Sequence, residues 1–201
     1  MTKLSNKDKI ILDLCGGTGA WSKPYANAGY DVRIITLPDY DVRMFPSKRG
    51  YKSRYPREFE DIMKLGKVHG ILAAPPCTYF AGSGASWPRT DGEMLEGISI
   101  VDACIRLVYV LKPKWWALEN PVGKLRKWLG PPVMSFNPCD YGDAYKKKTL
   151  LWGRFNTNLI KNPVTPIVPS PLHLLPPSKD RAAIRSITPA GFAKAFFEAN
   201  P

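Results

Sequence analysis

Histidine is scarce in this 201-residue chain: it has two, His69 and His173. The four cysteines, Cys15, Cys77, Cys104 and Cys139, are scattered without the short spacing of metal ligands. Both facts argue against a zinc site or any other bound metal. No apolar run is long enough to cross a bilayer, and nothing resembles a secretion signal. The chain therefore reads as cytoplasmic, of the kind a prokaryote or a virus within its host would carry, and a reducing cytoplasm suits a reactive thiol. Acid is also short. The 17 Asp and Glu face 29 Lys and Arg, leaving a net charge of +12 and a pI near 9.6. Such an excess at this size points to a polyanionic partner, most simply nucleic acid, with a merely soluble basic surface as the alternative. The length allows one substantial core.

The stretch Ile71-Leu72-Ala73-Ala74-Pro75-Pro76-Cys77-Thr78-Tyr79-Phe80-Ala81-Gly82-Ser83-Gly84 organises the chain. Its apolar start reads as the end of a buried strand over 68–74. Two prolines stop the strand, and Cys77 follows at its carboxyl end. In a parallel α/β sheet that end faces the ligand cleft. Two readings are open on these residues alone: a nucleophilic thiol, or a half-buried cysteine beside a tight turn.

The N-terminal third repeats the pattern. Residues 9–14 read as a first buried strand ending in Asp13-Leu14, followed by Cys15-Gly16-Gly17-Thr18-Gly19 and a helix through Ala28. Strand, glycine-rich turn and helix make a nucleotide-type pocket, because glycines let backbone approach a ligand and the helix start faces it. The dinucleotide G-x-G-x-x-G spacing is absent, and a merely tight connection is the other reading. A second strand over 31–37 ends in Thr36-Leu37, with Asp39 and Asp41 just beyond. These two are candidates for a ribose hydroxyl or an adenine amino group, or else ordinary turn aspartates. Residues 46–57 interleave Lys48, Arg49, Lys52, Arg54 and Arg57 with Tyr51 and Tyr55. That mixture suits phosphate contacts with base stacking, and equally a solvated loop. A short helix is expected at 58–66.

Residues 93–111 carry apolar residues at helical spacing, with Cys104 on the core side. Trp115-Trp116-Ala117-Leu118 reads as a further strand, and Glu119-Asn120-Pro121 follows it. Glu119 thus stands where Cys77 stands, at the carboxyl end of a buried strand. Burial there can raise a carboxyl pKa enough to keep a proton near neutral pH. A capping or salt-bridged glutamate is the plain alternative.

Four ordered motifs resemble the cytosine-C5 DNA methyltransferases. Asp13-Leu14-Cys15-Gly16-Gly17-Thr18-Gly19 is similar to their D-L-F-x-G-x-G element, and Pro76-Cys77-Thr78-Tyr79-Phe80-Ala81-Gly82-Ser83-Gly84 to their P-C-Q-x-F-S-x-x-G loop. Glu119-Asn120-Pro121 resembles E-N-V, and Lys146-Lys147-Lys148 stands at the place of Q-x-R-x-R. Arg185-Ser186-Ile187-Thr188 resembles the later R-x-L-T stretch. The resemblance covers residues 10–153 and implies an α/β, Rossmann-like class I methyltransferase fold, a mostly parallel sheet flanked by helices.

The resemblance further implies S-adenosylmethionine as cofactor, with a pocket drawn from Asp13, Cys15, Gly17, Gly19, Thr36, Leu37, Asp41 and Pro76. Cys77 would be the nucleophile at cytosine C6 and Glu119 the acid at N3. Lys146 and Lys148 would take the charge role of the family's two arginines. DNA would be held in part by Lys48, Arg49, Lys52, Arg54, Ser83 and Arg89, with the target cytosine flipped out. No metal and no membrane is implied.

Three departures stand out. Thr36 occupies the place of the family's acidic ribose ligand. The final G-N-A-V segment is not recognisable. The large recognition domain between the lysine run and the R-x-L-T stretch is replaced by the proline-rich 162–177. Major-groove readout needs an element able to present several side chains. Relaxed specificity, a separate specificity partner, or readout by loops 46–57 and 82–92 are the open explanations. The expected organisation is a catalytic and cofactor-binding domain over 1–160, a proline-rich connector over 161–180, and a C-terminal helix over 181–201. Thr188 is the expected N-cap of that helix and Pro189 its first residue. Two other functions share these residues: C5 modification of an RNA or nucleotide pyrimidine by the same thiolate chemistry, and silent binding of nucleic acid or cofactor.

Overall fold

The computed structural model describes residues 5–44, 68–82 and 88–201. Lys48, Arg49, Lys52, Arg54, Ser83 and the helix expected at 58–66 lie outside the described residues. The described elements run β1 (Ile10–Leu14), α1 (Lys23–Asn27), β2 (Asp31–Ile35), β3 (Val68–Ala73), α2 (Asp91–Leu111) and β4 (Trp115–Pro121). There follow α3 (Arg126–Leu129), β5 (Met134–Phe136), β6 (Thr149–Arg154), α4 (Pro171–Leu174), α5 (Arg181–Ser186) and α6 (Ala190–Ala199).

The six strands form one sheet in the order β2-β1-β3-β4-β6-β5. β1 pairs in parallel with β2 and β3, and β3 in parallel with β4. β6 runs antiparallel to both β4 and β5. The fold is α/β and Rossmann-like, with a mostly parallel sheet flanked by helices. After β1 the chain first adds β2 on one side and then β3 on the other. The order therefore reverses between β1 and β3, and a crevice opens at the carboxyl ends of these two strands.

Side-chain alternation assigns the two faces. Ile10, Leu12 and Leu14 of β1, Ile71 and Ala73 of β3 and Leu118 of β4 pack with Ile100, Val101, Ala103, Cys104 and Leu107 of α2. Ile11, Leu72, Trp115 and Ala117 point the other way, into an aromatic layer with Trp21, Tyr25, Phe136, Phe192 and Phe196. Phe136 and Phe192 stack at 3.7 Å, and Trp21 meets Phe196 edge-on at 5.4 Å. By the same alternation Asp13 and Glu119 fall on this second face, each near the carboxyl end of its strand.

Several boundaries differ from expectation for visible reasons. β4 continues through Glu119, Asn120 and Pro121, because β6 supplies antiparallel partners Leu151, Leu150 and Thr149 opposite them. α2 begins at Asp91, two residues earlier than the apolar periodicity shows, because Thr90 and Glu93 form a reciprocal capping box. α6 begins at Ala190 with Pro189 as its N-cap and no side-chain cap from its own start. This corrects the expectation for Thr188 and Pro189 by one residue. Asp143 takes over, accepting from the Gly191 N–H at 3.0 Å, and Thr188 is left free to line the cleft.

The proline-rich segment is anchored over 162–167 and turns into the short helix α4 further on. Asn162, Val164 and Ile167 donate backbone N–H groups to the carbonyls of Asp140, Cys139 and Ala144. No helix of the described residues is long and apolar enough to cross a membrane.

Candidate active site

Three strand ends and one C-terminal segment meet at the β1/β3 crevice. The cleft is lined by Asp13, the turn Cys15-Gly16-Gly17-Thr18, Trp21, then Ala74, Pro75, Pro76 and Cys77. Glu119 and Pro121 line it from β4, and Lys147, Ser186 and Thr188 close it. Its cavity volume is about 60 Å³.

The glycine turn is shaped around Asp13. A Cβ on Gly16 would sit 2.4 Å from the Asp13 carboxyl carbon, so only glycine fits. Cys15 and Gly17 have φ of 56° and 54°, the left-handed region. At Gly17 the space beyond the backbone is open, which leaves the turn accessible to a ligand. Asp13 is fully buried. One of its oxygens accepts from Ser22 Oγ at 2.6 Å. The other, Oδ1, has no hydrogen-bond partner among the described residues. Burial pushes this carboxyl up to about 6, with the Ser22 hydrogen bonds opposing. A buried acceptor without a donor, on the wall of a cleft, fits a ligand that brings an N–H or O–H. The residues present therefore suit the amino-acid end of S-adenosylmethionine.

The expected ribose end is different. Thr36 Oγ1 accepts from the Gly17 N–H at 3.3 Å and braces the turn. Leu37 is exposed just past β2. Asp41 is bound to Arg43, whose Nη2 lies 2.6 Å from it and whose Nη1 reaches Glu96. Thr36, Leu37 and Asp41 do not line the cleft, nor does buried Gly19, whose missing Cβ leaves room for Ile34.

Cys77 opens a single 3-10 turn, Cys77–Tyr79. Two interactions fix it. The buried Asn120 donates Nδ2 to the Pro75 carbonyl at 2.9 Å, tying β4 to the Pro75-Pro76-Cys77 corner. Arg89, expected at nucleic acid, donates instead to the Thr78 carbonyl at 3.1 Å and approaches Glu93. α2 also closes against the turn, since a Cβ at Gly97 would lie 2.8 Å from Tyr79 Cβ.

Electrostatics link the cleft's ionisable groups. Burial raises the Cys77 thiol pKa and the nearby Glu119 carboxylate raises it further, while Lys147 and Arg185 pull it back. Burial also raises Glu119, again against Lys147. A proton on Glu119 therefore removes one obstacle to a thiolate at Cys77.

Of the three lysines, Lys147 lines the cleft, and its Nζ donates to the Arg185 carbonyl at 2.7 Å. Lys146 and Lys148 are exposed and do not line it. The expected set thus meets at Asp13, Cys15, Gly17, Pro76, Cys77 and Glu119. Sequence reasoning missed Lys147, Trp21, Ser186 and Thr188 as lining residues. Alternation along an extended segment could have singled out the middle lysine. Among the described residues no group of three or more His, Cys, Asp or Glu could hold a metal ion.

No protein-family model matches the chain, and no curated protein sequence matches it. Among solved structures it is similar to a candidate DNA modification methyltransferase encoded within a prophage (E. coli), with 19% identity and a TM-score of 0.49. The match covers 78% of this chain and 52% of the other, so this chain spans about half that neighbour's length.

Proposed function

We propose that this chain is a DNA cytosine-5 methyltransferase that uses S-adenosylmethionine. The observation that carries the reading is the convergence of Cys77, Glu119 and the Asp13 glycine turn on one cleft. The cofactor would be held by Asp13, Cys15, Gly17 and Pro76, and it would supply an electrophilic methyl group to cytosine C5. Every other role belongs to the chain's own side chains.

Cytosine C5 is a poor nucleophile. Addition of the Cys77 thiolate to C6 breaks the C5=C6 double bond and makes C5 electron-rich. Glu119, with its pKa raised by burial, would donate a proton to N3 and so offset the negative charge that the addition places on the ring. Lys147 contributes positive charge beside both groups, the role first expected of Lys146 and Lys148. Once C5 is methylated, loss of its proton and departure of the Cys77 sulfur restore the aromatic ring. A duplex hides C6 in the stack, so the cytosine must be turned out into the cleft.

The test incubates the protein with labelled S-adenosylmethionine and duplex DNA, single-stranded DNA or RNA, and maps the product. Label at C5 of a DNA cytosine is the expected result. Label in RNA alone would move the substrate, and label in none would overturn the reading. DNA carrying 5-fluorocytosine provides a second readout, because fluorine blocks the final elimination. A covalent adduct should form with the wild type and vanish in Cys77→Ser.

A further inference from the structure

Five cations of the described residues are seen paired with carboxylates. Arg33 meets Asp31, Arg43 meets Asp41 and Glu96, Arg89 meets Glu93, Arg106 meets Asp102, and Lys194 meets Glu198. A group beside the cleft differs. Lys124, Arg126 and Lys127 are all exposed, as are Lys146 and Lys148. None of the five forms an ion pair with a carboxylate among the described residues. No Asp or Glu occurs between Glu119 and Asp140 in the sequence to neutralise the first three.

The backbone binds this group to the rim of the cleft. Lys124 N–H donates to the Phe80 carbonyl at 2.7 Å, and Gly82 N–H to the Val122 carbonyl at 2.9 Å. Ala81 and Gly123 form an isolated bridge. Gly123 lies so close that a Cβ there would sit 1.9 Å from the Phe80 carbonyl oxygen. On the other side Val122 N–H meets the Lys148 carbonyl at 3.3 Å. Segment 122–130 is therefore laced to the loop that follows Cys77 and to the lysine run, and it is pinned by the buried Leu125. Trp128 is 47% exposed and packs its edge on Phe80. It adds an aromatic surface to the basic rim.

We propose that Lys124, Arg126 and Lys127, with Trp128 beside them, bind the phosphodiester backbone of the nucleic acid whose base enters the cleft. An unpaired cluster of cations costs self-repulsion that a polyanion relieves, and its place beside Cys77 aligns a bound strand with the thiol. The rim supplies positioning next to the strand ends that carry Cys77 and Glu119. The inference rests on the nucleic-acid substrate of the proposed function.

The test measures binding of a short DNA duplex and of an RNA duplex over a range of salt. The wild type is compared with Lys124→Gln/Arg126→Gln/Lys127→Gln. A control, Lys7→Gln/Lys112→Gln/Lys114→Gln, removes the same charge from exposed sites away from the cleft. The rim triple should bind at least about tenfold more weakly near 0.1 M salt, and its slope of log K on log salt should be shallower by about 3. The control should retain most of the wild-type affinity. The arm that responds, DNA or RNA, names the source of the phosphodiester. The single variant Lys127→Glu gives an independent reading should the triple not fold.

Equal losses in the rim and control triples would reduce the effect to bulk charge and overturn the proposal. So would unchanged binding by the rim triple. Failure of the proposed function looks different: tight, rim-dependent binding with no methyl transfer.

Discussion

Lys147 Nζ reaches the carbonyl of Arg185 at 2.7 Å, across 38 residues of chain. The bond joins the approach to β6 with the end of α5. It holds the wall formed by Ser186 and Thr188 and keeps an ammonium beside Cys77 and Glu119. It also explains why the middle lysine, rather than its neighbours, belongs to the cleft.

Replacing Lys147 with Met removes a charge that holds the Cys77 thiol pKa down. Thiolate should then form at higher pH. Alkylation of Cys77 by iodoacetamide near pH 8, followed by peptide mass spectrometry, should be several-fold slower than in the wild type. Lys147→Arg should restore much of the rate. An unchanged rate in Lys147→Met would separate this lysine from the thiol.

Glu119→Gln should act in opposite directions on two readouts. Loss of the carboxylate removes a charge that pushes the Cys77 pKa up, so alkylation should proceed at lower pH. Methyl transfer should fall by about 10²- to 10⁴-fold, the usual range for loss of a general acid. A variant that loses both reactivity and transfer would point to a collapsed cleft instead.

Asp13 makes stability depend on pH. Its folded pKa, about 6, lies above the ordinary 3.8. The folded state therefore holds the proton more tightly than the unfolded chain does. The stabilisation from that proton is full below about pH 4 and is lost as pH rises through about 6, a cost on the order of 3 kcal/mol at neutral pH. Asp13→Asn should flatten this window and raise the unfolding midpoint at pH 7.5 more than at pH 5, as thermal melts would record. Binding of the methyl donor should weaken in the same variant.

Asn120 acts on Cys77 through the Pro75 carbonyl. Asn120→Ala should lower kcat with a smaller change in KM, because the thiol is misplaced while the remaining surfaces survive. A stability loss of about 1 kcal/mol is expected from the missing hydrogen bond. Urea titration beside steady-state kinetics checks both. An unaltered kcat would show that the prolines alone hold the corner.

Gly123→Ala should disturb the loop after Cys77 without touching any cleft side chain. The added carbon would collide with the Phe80 carbonyl oxygen, so the 80–82 and 122–124 segments must part. Hydrogen exchange at the Gly82 and Lys124 amides should accelerate, and methyl transfer should fall with it.

Much of this was legible in the sequence because buried strands in a parallel sheet announce themselves as short apolar runs. Residues 10–14, 68–73 and 115–118 did so, and the residues just past them, Cys77 and Glu119, inherited a position. What stayed hidden depended on contacts distant along the chain. Nothing local marks Trp21 as a cleft wall, since its place comes from Phe192 and Phe196 in α6. The extension of β4 through Pro121 comes from β6. The diversion of Asp41 to Arg43, and of Arg89 to Thr78, comes from competition between a ligand role and an available protein partner.

The lacing of residues 80–82 to 122–124 has a mechanical consequence. Cys77 and Glu119 stand at the ends of neighbouring strands of one ribbon, and the Ala74 N–H on the Leu14 carbonyl joins that ribbon to the glycine turn. The spacing of thiol, carboxyl and turn is therefore set by backbone hydrogen bonds, in advance of anything that enters the cleft.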